Sequence, residues 1–253
     1  MNMKVVVIGG TGLIGSKVLD ILKASGHEVV AAAPQTGVNT LTGEGLADVL
    51  TNASVLIDVS NSPSFEEKAV MNFFQTSTRN LVDQGKKVGV KHYIALSVVG
   101  TSRMEEGPYF RAKAMQEKLI RESALPYTIV HATQFFEFVG MIADAATNGN
   151  HIRLAPVLTQ PMAADDVALV LSQTAASAPA NNIVETGGPE RFLLTEFVAK
   201  GLSARNDPRE VISDLEMKYF DVMLEERTLV PSDGAPVGRI RFDEWLQQAA
   251  MVR

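Results

Sequence analysis

The 253-residue chain has no cysteine, which excludes disulfides, thiolate catalysis and cysteine metal sites. Its four histidines, His27, His92, His131 and His151, fall at no metal-ligand spacing. No cluster of basic residues occurs and the net charge is −6, so the electrostatic footprint of a nucleic-acid binder is missing. No apolar run approaches the length of a membrane span, and the chain enters an apolar strand at once without a signal-peptide pattern. These absences predict a soluble cytoplasmic protein whose partner is a small molecule, with neither nucleic acid nor membrane. Monomer and homo-oligomer both stay open. What the chain does have is a composition 46% hydrophobic, enough for a large core.

The stretch Lys4-Val5-Val6-Val7-Ile8-Gly9-Gly10-Thr11-Gly12-Leu13-Ile14-Gly15 organises the rest. Val5 to Ile8 is a β-branched run that reads as a strand buried on both faces. Gly9 permits a sharp turn out of that strand. Gly12 offers bare backbone to a pyrophosphate, and Gly15 lets the following helix pack close to the sheet. The helix N-terminus adds free N–H groups and the positive end of a dipole. Three glycines alone would also suit a βα turn that binds nothing. Their place between strand and helix predicts a dinucleotide site formed by Gly9, Thr11, Gly12, Leu13, Ile14 and Gly15.

Ile14, Val18, Ile21 and Leu22 give the first helix its apolar face, and Ser25-Gly26 ends it. His27 to Ala33 reads as the second strand. An acidic residue at its end would mark NAD by binding the adenosine ribose. The chain has Ala33-Pro34-Gln35-Thr36 instead, which leans toward NADP. No Lys or Arg lies between Lys23 and Lys68, so a 2′-phosphate would rest on Gln35, Thr36, Asn39 and backbone N–H groups. A merely polar loop over 34–45 fits the same residues. Val55 to Val59 is the third strand, and Ser60 and Asn61 follow at its carboxyl end, where ligands of open α/β sheets bind. A helix over 65–84 and a fourth strand over 91–96 continue an alternation that predicts a doubly wound parallel sheet.

Ser97 closes the fourth strand, and Pro108 opens a helix carrying Tyr109 and Lys113 on one face. A tyrosine of ordinary pKa near 10 is a poor acid, and a neighbouring ammonium would strengthen it. Tyr109 as proton donor, Lys113 as its activator and ribose ligand, and Ser97 as carbonyl positioner make a set suited to carbonyl reduction. The same three residues also suit packing, a solvated charge and a turn.

Taken together, the chain resembles the short-chain dehydrogenase/reductase superfamily, and most of all its atypical, NmrA-like branch. The residues carrying the resemblance are the glycine turn 9–15, Thr78-Arg79-Asn80-Leu81-Val82, Ala95-Leu96-Ser97-Val98-Val99-Gly100 and Tyr109-Phe110-Arg111-Ala112-Lys113. The resemblance implies a Rossmann-like NAD(P) domain and catalytic roles for Ser97, Tyr109 and Lys113. Two departures stand out: His131-Ala132-Thr133-Gln134-Phe135 lacks a proline-glycine pair, and the basic residue after the second strand is missing.

Residues 126–131 read as the fifth strand, and 134–146 as a helix apolar nearly all round, with Phe138 a core residue. Thr133 and Phe135 then stand where a nicotinamide pocket would be roofed. Asp165 or Asp166 reads as a helix N-cap. The strand 182–186 is expected to return to the sheet, and 195–202 to form a helix. The expected organisation is a Rossmann core over 1–155 and a smaller substrate-side lobe over 156–253. The expected activity is NAD(P)-dependent reduction of a carbonyl or quinone-like molecule, with NADP weakly preferred. The alternative is a cofactor-binding, redox-sensing regulator without turnover. Sugar-nucleotide chemistry ranks lower because the second lobe is short.

Overall fold

The computed structural model of the protein describes residues 2–251. Strand β1 (Lys4–Ile8) carries Val5, Val6 and Val7, all fully buried, as a central parallel strand requires. Helix α1 (Leu13–Ala24) buries Ile14, Val18, Leu19 and Leu22, while Ile21 lies only half-buried at the margin of that face. Then follow β2 (Glu28–Ala32), α2 (Leu46–Leu50), β3 (Val55–Asp58) and α3 (Glu67–Val88). Gly89, at φ 72°, stops α3 four residues beyond its expected end, with Lys86 and Lys87 beside the last carbonyls. Next come β4 (His92–Val98), α4 (Pro108–Arg121) and β5 (Tyr127–Ala132).

The later chain holds α5 (Val139–Ala145), β6 (Thr147–Asn148), β7 (His151–Leu154), β8 (Leu158–Thr159) and α6 (Ala164–Ala175). It ends with β9 (Asn182–Thr186), β10 (Phe192–Leu193), α7 (Leu194–Ser203), β11 (Glu210–Ser213) and α8 (Phe242–Met251). The main sheet has six strands in the order β2-β1-β3-β4-β5-β9. Its β1–β2, β1–β3 and β3–β4 pairs are parallel. This is a Rossmann-like α/β fold, and the strand at 182–186 joins the sheet as expected.

The described residues gather into two compact units that interleave along the chain. One comprises the residues up to Ser97, Pro108–His131 and Val167–Val184. Its core runs from Val6, Ile8 and Leu56 to Leu81, Tyr93, Ile120 and Ile129. A second cluster, Val70, Phe74 and Ala112, lies where α3 packs on α4, with Tyr109 at its edge. The other unit comprises Val98–Gly107, Ala132–Asp166 and the residues from Glu185 on. It contains a β11-β7-β6 sheet and an antiparallel β10-β8 pair.

Two expectations for this second unit are corrected. The predicted helix over 134–146 begins as a short 3₁₀ turn, Phe136–Phe138, and becomes α-helical only at Val139. That change of winding turns Phe136 inward, against Phe197, Phe242 and Trp245, and leaves Phe138 exposed, stacked on Phe135. Nor do Asp165 and Asp166 cap α6. They lie within its first turn, and the Glu137 carboxylate takes the Ala164 N–H instead. Asp166 receives the backbone N–H groups of Arg239 and Ile240, pinning a distant loop.

Candidate cofactor and active site

The first unit brings most of the expected site residues together. The chain leaves β1 at Gly9 with φ +76°, and a Cβ there would sit 3.0 Å from the Ser60 backbone. A Cβ on Gly15 would fall 2.2 Å from Gly9 O and 2.6 Å from Gly10 Cα, so only glycine lets α1 approach this closely. Gly10 is constrained too: its Cβ would meet Ala31 Cα at 2.8 Å, a requirement that the spacing of the other three did not disclose. Gly12 differs. A Cβ there would meet only Gly9 O, at 3.3 Å, so the protein's own packing tolerates one and the bare backbone faces outward. No side chain caps the N-terminus of α1, and no acidic residue occupies its first turn. Its leading N–H groups have no intrahelical partners, and its dipole favours an anion. These features fit a dinucleotide diphosphate.

Beside the turn, the Thr11 hydroxyl donates to Gln35 Oε1 at 3.3 Å. Thr36 Oγ1 closes a local turn, accepting the Ala33 N–H at 2.9 Å. Asn39 Oδ1 accepts the N–H groups of Leu41 and Thr42. Thr36 and Asn39 thus shape the loop, while the exposed Gln35 contacts the glycine turn.

At the end of β3, Asp58 is 1% exposed and fully satisfied. Its Oδ1 accepts the Ser60 N–H at 3.0 Å and the Ser60 hydroxyl at 2.6 Å. Its Oδ2 accepts the Gln116 amide at 3.0 Å and the Tyr93 hydroxyl at 3.2 Å. Burial and the Asp58 charge push the Tyr93 phenol well above its ordinary pKa, keeping it a donor. Asn61 Oδ1 accepts the Ser62 N–H.

Lys113, 3% exposed, donates to Leu96 O at 2.8 Å and to Gln116 Oε1, with Nζ 4.5 Å from the Phe74 ring centre. Burial lowers it to about 8, against the pull of Asp58 and Glu117. Ser97 donates to Glu117 Oε1 at 2.5 Å, and His131 Nε2 meets the same oxygen at 2.8 Å. Burial pushes the Glu117 carboxyl up, but the bonds from His131 and Ser97 and the Lys113 charge outweigh it and hold it low. Glu117, Gln116, Asp58 and His131 are the members that the sequence reading missed. Asp58 and His131 come from other strands, and Glu117 reads as an ordinary helix charge four residues after Lys113.

Tyr109 is half-buried among Phe65, Phe74 and Phe110, with ring centres 5.4–6.0 Å away. Burial raises its phenol to about 12, so the expected strengthening by Lys113 is not what this environment produces. The Lys113 ammonium is instead engaged with Leu96 and Gln116. Thr133 and Phe135 belong to the second unit. Thr133 donates to Gln160 O at 2.6 Å, and Phe135 stacks on Phe138.

A parallel sheet with a side-chain-free turn at the head of α1 defines a Rossmann-like nucleotide-binding protein. The chain belongs to the NAD(P)H-binding family, which it matches over residues 9–177. Among curated proteins it is similar to the photosystem II assembly factor Ycf39 of Cyanophora paradoxa, with 27% identity over 158 residues. That match covers 57% of this chain and 49% of the relative, so the chain spans about half the length of the curated relatives it matches. Two solved structures share the fold nearly end to end. One is a dTDP-4-dehydrorhamnose reductase from Bacillus anthracis in complex with NADP, at TM-score 0.74, 13% identity and 100% of both chains. The other is a short-chain dehydrogenase/reductase superfamily protein from Agrobacterium tumefaciens with bound NAD, at TM-score 0.73 and 14% identity, covering 99% and 97%. The family match bears out the expected NAD(P)-binding domain, and the solved structures bear out its Rossmann-like fold. Among the described residues, no helix is long and apolar enough to cross a membrane.

Proposed function

We propose that the protein is an NAD(P)H-dependent reductase of a carbonyl or quinone-like small molecule, with NADPH weakly preferred. The reading rests on one observation: Lys113 bonds to Leu96 O beside Ser97, one helical turn from Tyr109, in the unit that carries the uncapped glycine turn. The nicotinamide, when bound, would supply a hydride to the carbonyl carbon. Tyr109, kept protonated by burial, gives its proton to the oxygen. The alkoxide developing there is more basic than a phenolate, so a weak phenol suffices, and solvent restores its proton. Lys113 spends two of its three N–H bonds internally and turns the third to a ribose hydroxyl. Ser97 orients the carbonyl after its hydroxyl turns from Glu117. The NADPH preference follows from Gln35 standing where an acidic residue would repel a 2′-phosphate.

Tyr109→Phe tests the reading. NADPH affinity should stay within about twofold of the parent, while turnover against an aldehyde, ketone and quinone panel falls by roughly 10²–10⁴. Equal turnover in parent and variant would refute the role of the phenol.

A second reading, a cofactor-binding regulator without turnover, is favoured by the donation of Ser97 to Glu117. The naming of the Ycf39 relative as an assembly factor points the same way. Tight NADPH binding with no oxidation across the panel would select it. Retention of nucleotide through purification with no net oxidation would instead point to sugar-nucleotide isomerisation.

A further inference from the structure

Lys113 does not aim itself. A lysine side chain carries several rotatable bonds, so a defined ammonium position needs fixed acceptors. Leu96 O supplies one, and the Gln116 side chain supplies the other. An amide can present either its oxygen or its nitrogen to a neighbour. Here Asp58 Oδ2 settles the matter, because it accepts the Gln116 Nε2–H at 3.0 Å and leaves Oε1 facing Lys113. Asp58 is itself immobile, held by Tyr93 and by both donors of Ser60. Every member of this chain is buried except Ser60 and Leu96, which are half-buried, and all belong to one unit.

We propose that Gln116 is a positioning residue for Lys113. The relay Ser60–Asp58–Gln116 fixes the ammonium so that its one uncommitted N–H points to the nicotinamide ribose. The inference deepens the proposed cofactor site and rests on Lys113 acting as a ribose ligand there. It also ties the loop after β3 to α4 through one carboxylate. The groups that set the charge around Lys113 are Asp58 from β3, Tyr93 from β4, Glu117 on its own helix and His131 from β5.

Two substitutions test it with opposite expected signs. Gln116→Met keeps the length and removes both hydrogen bonds. Gln116→Glu keeps an acceptor toward Lys113 and adds a negative charge. The Lys113 ammonium is followed by its ¹³Cε resonance across pH in nucleotide-free protein, against a parent midpoint near 8. Gln116→Met should move that midpoint down and Gln116→Glu should move it up, each by about one unit. The added carboxylate acts by its charge, so Gln116→Met decides: a residue serving only to pack would leave its midpoint unmoved, and that result overturns the proposal.

The second arm is an NADPH titration of Gln116→Met, Lys113→Met and the double variant. Each single change should weaken binding by about tenfold, and the double variant should bind no worse than Lys113→Met alone, because both act through one ammonium. Additive losses overturn the relay. If the parent binds no NADPH, the cofactor reading fails, while the resonance arm still decides whether Gln116 controls Lys113. Should Gln116→Met fail to fold, Gln116→Leu, which also lacks both hydrogen bonds, carries the test: an unmoved midpoint refutes the proposal.

Discussion

His92 shows how much one buried ring can govern. It is 3% exposed, and its Nε2 meets Thr128 Oγ1 at 2.8 Å. Burial lowers its pKa from 6.5 to about 4, against a hydrogen bond to the Ser177 backbone. The unfolded chain then binds more protons than the folded one between those values, so stability falls as pH drops through that window. The full loss is about 3 kcal/mol. Urea melts at pH 7 and pH 4.5 should show a flatter acid decline for His92→Gln than for the parent, the shared carboxylates cancelling in the comparison. Parallel acid limbs would contradict it. At this scale the sequence was half legible. Ser97, Tyr109 and Lys113 stood out because strand end and helix spacing mark them. Asp58, Gln116, Glu117 and His131 did not, because their meaning comes from neighbours up to 58 residues apart along the chain, as Gln116 is from Asp58.

The turn between β1 and α1 is the element on which cofactor binding depends, and its glycines serve different ends. Gly15→Ala forces a methyl into backbone 2.2 Å away, so the helix must retreat from the sheet. A cost of about 1–3 kcal/mol is expected, visible as a lowered urea midpoint. Gly12→Ala meets only Gly9 O at 3.3 Å and should leave that midpoint nearly unchanged. It should nonetheless weaken NADPH and NADH binding by about tenfold or more, read by fluorescence titration, since the methyl occupies the diphosphate approach. Equal stability losses in the two variants would remove the distinction. This element was legible from spacing alone. The start of α5 was not: a change from 3₁₀ to α winding exchanged the roles of Phe136 and Phe138, and periodicity assumes one winding throughout.

For the whole molecule, the interleaving of segments matters most. Residues 167–184, most of α6 and the start of β9, belong to the unit that holds the glycine turn. A chain stopped at residue 155 would lack β9 and bare the edge of β5. An open apolar edge invites pairing with other chains. The truncated protein is expected to aggregate and to show no cooperative urea transition. A soluble fragment with a sharp transition and NADPH affinity would show that the first 155 residues suffice. The alternation of strands and helices made the sheet legible in advance, the returning strand at 182–186 included, whereas the grouping of 98–107 and 132–155 with the later chain was not, since no composition shift marks it.

Because Gly12 presents main chain and not a side chain, whatever grips the ligand's middle is written in geometry and not in residue chemistry. Sequence drift can spoil that grip but has little means to retune it. In the proposed site, discrimination would be left to two separate stretches, the Gln35 loop at one extremity and the Lys113 relay at the other. A lineage could therefore exchange one nicotinamide nucleotide for another by editing a few loop positions, with the reacting end inherited intact.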